Sequence, residues 1–127
     1  WNKDFHFECK NLNSSNDFVD KYVCYNTYKK TPNNENIFDG GVLRYFNGKY
    51  SQGYNFGGMI GFVLEGDILN IKNKITAKLT EHLITAPEGD LIRILDNSIE
   101  QNDFTFDSHH NRANSEFVIH HLLFNFS

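Results

Sequence analysis

From Leu69 to Leu83 apolar and polar residues alternate: Leu69, Ile71, Ile75, Ala77, Leu79 and Leu83 share one parity, and Asn70, Lys72, Lys74, Thr76, Lys78, Thr80 and His82 the other. Successive side chains of an extended strand point to opposite faces, so the alternation predicts a strand with one wall on a core and the other in water. A strand of that length exceeds the usual span, so it is expected to bend, to bulge near Asn73 or to curl round a barrel. Two polar residues, Asn73 and Glu81, fall on the apolar parity. A carboxylate facing inward is costly unless paired and suits ligand binding or proton transfer, whereas a bulge at Asn73 and an exposed strand end at Glu81 account for both residues without function.

The rest of the chain reads in the same β-rich sense. Its 127 residues suit one domain over 1–127, and 12 Phe with 6 Tyr favour pleated, half-buried surfaces. Phe5, Phe7 and Cys9 alternate with polar residues as a first strand. Ser14-Ser15 then supplies hydroxyls for a helix entry, and Phe18, Tyr22 and Tyr25 at helical spacing predict a helix over Asp17–Tyr28. Thr31 to Asn36 is rich in turn formers, and Asn47-Gly48 between Val42–Phe46 and Lys49–Tyr54 predicts a tight hairpin.

Further strands are expected over Met59–Leu64, Leu91–Leu95 and Asp103–Phe106, with turns at Pro87–Asp90 and Asp96–Ser98 and a polar loop from Ser108 to Asn114. Phe117–Phe126 is apolar on both parities, which belongs in the middle of a sheet covered on each side. Together these predict a mainly β domain: an antiparallel β-sandwich or partly closed barrel of about seven or eight strands with one N-terminal helix. The alternative is an α+β arrangement with the helix packed on a curved antiparallel sheet.

A net charge of −4 disfavours polyanionic partners, and Lys29-Lys30 and Lys72/Lys74/Lys78 read as a solvated loop and strand face, so no nucleic acid is expected. No stretch approaches the roughly 20 apolar residues that a membrane-spanning helix needs. The chain begins at Trp1, which reads as the product of processing. Cys9 and Cys24 are an even pair whose bridge would contribute on the order of 3 kcal/mol and would place the protein in the periplasm or outside the cell; two free thiols are the alternative.

The histidines are the main candidates for chemistry. Asp107, His109 and His121 form a candidate mixed metal site, although His120 and His121, being adjacent on a strand, cannot both face one ion. Ser108 or Ser115 beside an Asp-His pair has no nucleophile-elbow context, so the chain is read as non-enzymatic, and no cofactor is implied. Tyr45 and Tyr50 would face each other across the hairpin, with Tyr54 beyond, as contacts for a partner or as staples of the sheet.

The expected function is therefore an exported binding module that engages a protein partner, such as an inhibitor, immunity, adhesion or assembly component. A carrier or cavity enzyme for a small apolar ligand is the alternative. An internal pocket lined by Ile75, Leu79, Phe62 and Glu81 would favour the carrier; a filled core with an exposed aromatic patch would favour the module.

Overall fold

The computed structural model describes residues 7–47, 54–83, 91–96 and 103–126. The fold is mainly strand, with a five-stranded mixed sheet and two helices. In chain order the elements are β1 (Phe7–Leu12), α1 (Asn16–Val23), a 3₁₀ turn over Gly41–Tyr45, β2 (Phe56–Val63), α2 (Ile68–Leu83), β3 (Leu91–Asp96), β4 (Asp103–Arg112) and β5 (Ser115–Asn125). The sheet order is β1-β2-β5-β4-β3, parallel across β1-β2-β5 and antiparallel across β5-β4-β3. A single sheet carries both helices on one side, in place of the expected sandwich or barrel.

The stripe from Leu69 to Leu83 is helix α2 and not a strand. Residues four apart share a parity as well as a helix face, so Ile71, Ile75 and Leu79 satisfy either pattern. Ile68 decides between them: with Ile71, Ile75 and Leu79 it completes spacings of three and four, and all four are buried. Leu69, which an alternating strand would bury beside Ile71, is 49% exposed. The entry is capped by Asp67, whose Oδ2 accepts from the Asn70 amide at 3.1 Å, and Gly66 takes the left-handed φ of 101° that turns the chain into it.

The lysines that read as a solvated strand face instead tie α2 to its neighbours. Lys78 lies 3.0 Å from Asp20 of α1, Lys72 lies 3.7 Å from Asp96 of β3, and Lys74 donates to the Ser14 carbonyl at 2.5 Å.

The predicted entry to α1 holds: Ser15 is its N-cap, with Oγ 3.4 Å from the Phe18 amide. The helix stops at Cys24, short of Tyr28, because the Asn26 side chain accepts from the amides of Tyr28 and Lys29 at 2.9 and 2.8 Å and folds the chain back. Val42–Tyr45 forms the 3₁₀ turn rather than a hairpin strand, and 48–53 lie outside the described residues. The expected turns at Pro87–Asp90 and Asn97-Ser98 also lie outside them.

Ser108–Arg112, expected as loop, extends β4. Ala113 and Asn114 at φ 52° and 63° close the β4–β5 hairpin as two consecutive left-handed residues.

Val19, Tyr22 and Val23 of α1 and Ile71, Ile75 and Leu79 of α2 pack on Leu12, Met59, Val63, Phe106, Phe117, Ile119 and Leu123 of the sheet. At about 1.5–3 kcal/mol for each large apolar side chain, this layer is the main source of stability. β5 lies third of five strands, as its two apolar faces predicted, but among the described residues the helices cover one face alone.

Candidate functional site

Strand alternation on β4 and β5 divides the polar residues between two sides of the sheet. Phe106, Ser108 and His110, with Phe117, Ile119, His121 and Leu123, face the helices and are buried. Thr105, Asp107 and His109, with Val118, His120, Leu122 and Phe124, face the open side.

On the covered side a hydrogen-bonded chain crosses the core. Tyr22 Oη lies 2.7 Å from His121 Nδ1, His121 Nε2 lies 2.7 Å from Ser108 Oγ, and Ser108 Oγ lies 2.7 Å from His110 Nε2. If Tyr22 donates to Nδ1, then His121 Nε2–H donates to Ser108 and the Ser108 hydroxyl to His110, so each of the three bonds has one donor and one acceptor. The reverse direction leaves the Tyr22 proton with none of these acceptors. The chain therefore runs from tyrosine to His110 through a neutral His121.

Phe106 stacks on the His121 ring at 4.3 Å and 2°. Burial first, and then the charges that His110 and His120 would carry, push the His121 pKa well below its ordinary value. Burial and neighbouring Tyr45 raise that of Tyr22.

On the open side His120 Nδ1 lies 2.8 Å from Asp107 Oδ1. Beside them Phe7, Ile60, Thr105 and Leu122 line an open trough of about 590 Å³. Its floor is flat because Gly58, the β2 neighbour of both Phe7 and His120, has no side chain, and the Phe7 ring occupies the space that a Cβ would fill. Farther along, Phe62, Phe124 and Phe126 form an aromatic cluster with ring centroids 6.0–6.4 Å apart.

The predicted metal site does not assemble. His121 points into the core, while Asp107 and His109 lie on the open side, where His109 Nδ1 is 3.2 Å from Glu116 and Asp107 is engaged by His120. No group of three or more metal-binding side chains occurs among the described residues. An Asp-His-Ser triad is split in the same way, with Ser108 sealed behind the sheet from Asp107 and His120.

Cys9 is exposed on β1 and Cys24 is buried after α1; both are free, so the expected bridge is not formed. Burial and the Asp20 carboxylate push the Cys24 thiol up to about 12, which keeps it un-ionised at neutral pH.

Asn73 and Glu81 stand on the exposed flank of α2, far round the helix from Ile71 and Leu79. Tyr45 is a staple: it is fully buried and donates to the Gly58 carbonyl at 2.6 Å. Tyr54 is half-buried with its ring edge-on to Phe56 at 5.8 Å, and Tyr50 lies outside the described residues.

Sequence reasoning missed Tyr22, Ser108 and His110 as partners of His121. The available signal was polar residues at 108 and 110 with an aromatic at 106, a period-two pattern that passes for a loop when read by polarity alone. Comparison with protein-family models, with curated proteins and with solved structures finds no match to this chain.

Proposed function

We propose that the chain is a non-enzymatic binding module that seats a protein partner on the open side of its sheet. The observation that carries this reading is the apolar character of that side on three adjacent strands. Phe7, Ile60, Phe62, Val118, Leu122 and Phe124 line it, with Phe126 at its end, and no described element packs over them.

Taking about 200 Å² for a phenylalanine, Phe7 at 53% and Phe126 at 65% exposure leave roughly 240 Å² in water before the half-buried residues are added. Contiguous apolar areas of several hundred Å² on a small protein mark interaction sites. The polar groups on the same side are bonded among themselves: His120 with Asp107, and Arg93 with Glu116 at 2.6 Å. A docking surface of that kind selects by shape and apolar contact.

The carrier alternative has lost its pocket. Ile75 and Leu79 are in a filled core, Phe62 is on the open side, and Glu81 is exposed on α2. The free thiols likewise withdraw the support that a bridge lent to export, so the proposed function rests on the open face alone.

A partner captured from native extract and then purified provides the test, its affinity being measured by calorimetry against wild type, Leu122→Glu and Phe62→Glu. A loss of tenfold or more in both variants, with Asn73→Glu on the exposed flank of α2 unchanged, is expected. Undiminished binding in both open-side variants would overturn the assignment.

A further inference from the structure

The polar end of the open trough has a chemical bias of its own. Asp107 accepts and cannot donate when ionised, so its contact with His120 Nδ1 places the ring proton on that nitrogen. In the neutral ring Nε2 is then a lone-pair acceptor. The His120 side chain is 54% exposed, and its Nε2 has no partner among the described residues.

The surroundings are apolar and level. Phe7, Gly58 and His120 lie in one cross-strand row, and Ile60 and Leu122 in the next, so an apolar floor spans β1, β2 and β5. With strands about 4.8 Å apart, that floor is roughly 10 Å wide, enough for a body of two fused rings. The trough volume of about 590 Å³ falls within the range of small-molecule sites.

We propose that this trough binds a flat apolar molecule carrying a hydroxyl, a phenol or a rigid alcohol, with the ring system over Ile60 and Leu122 and the O–H donating to His120 Nε2. A carboxylate is disfavoured, because it would need a charged His120 and would sit beside the Asp107 carboxylate. A donor needs neither change. The ligand would lie on Ile60 and Leu122, which the proposed partner also uses, but it alone needs the histidine's second nitrogen, so His120→Phe separates the two readings.

The test uses 2-naphthol and 2-methoxynaphthalene, which share a ring system and differ in the donor, titrated by fluorescence into the full chain at neutral pH. Saturable binding of 2-naphthol, about tenfold tighter than the ether, is expected from one hydrogen bond to an oriented acceptor. His120→Phe keeps the apolar wall, should melt as wild type does, and should bring the two affinities level by weakening 2-naphthol alone. Equal affinities in the wild-type chain, absence of saturable binding, or an undiminished preference in His120→Phe would each overturn the site.

Discussion

Removing the Tyr22 hydroxyl tests the buried hydrogen-bonded chain. In Tyr22→Phe the ring still fills its place between α1 and the sheet, so packing is kept and the change is confined to one bond of 2.7 Å. The lost bond is worth about 1 kcal/mol net, and His121 Nδ1, left as an acceptor without a donor at a fully buried site, adds a desolvation penalty of the same order. Together they predict a loss of about 2 kcal/mol. For a chain of this size that lowers the melting temperature by roughly 8 °C.

The pH dependence reports the neutral state of His121. Its pKa is depressed in the folded state, so below about pH 6.5 the unfolded chain takes up a proton that the folded one refuses. The stabilising contribution is present above that value and is lost as the pH falls through and below it. That uptake is common to wild type and Tyr22→Phe, so urea denaturation should show both losing stability from pH 7 toward pH 5 with the gap between them kept. A gap below about 0.5 kcal/mol at pH 7 would refute the buried bond.

Three further outcomes follow from the packing. Ile75→Ala should cost about 3 kcal/mol and Leu69→Ala under about 0.5 kcal/mol in chemical denaturation, whereas an alternating strand would make both costly. Ala113→Asn combined with Asn114→Gly should raise stability by about 1 kcal/mol in a thermal melt, because both positions hold left-handed backbone that the present residues adopt at a cost. Iodoacetamide should label Cys9 in the folded protein and Cys24 only after denaturation, as peptide mass spectrometry would register.

Local chemistry made some elements legible from residues alone. Ser15 capped a helix, Leu91–Asp96 formed a strand, and the doubly apolar Phe117–Phe126 took the centre of the sheet, since each of those signals is settled within a few residues. α2 was misread because a four-residue repeat is a harmonic of two. With Ile71, Ile75 and Leu79 common to both patterns, the helix shows only where the parity breaks: Ile68 is buried, and Leu69, Asn73, Ala77 and Glu81 are exposed. Reading α2 as a strand then put a sandwich or barrel with one N-terminal helix ahead of the alternative, a helix packed on a single curved sheet. The hairpin expected around Asn47-Gly48 fails on its first arm: Val42–Tyr45 is held in a 3₁₀ turn, where Tyr45 reaches the Gly58 carbonyl.

The two polar clusters were hidden for a different reason, which also explains their separation. Asp107 and Ser108 are neighbours, as are His120 and His121, and the β4–β5 register pairs Asp107 with His120 and Ser108 with Ile119. Alternation sends Ser108 and His121 into the core, where they join Tyr22 and His110, and leaves Asp107 and His120 on the open side. A slip of one residue in β4 would set a carboxylate against the helices and return the serine to water, so burial of Phe106 and the polar chain specify the register together. That register is what creates an oriented histidine on an uncovered apolar face. The sealed chain fixes the strands, and the open side is free to be used.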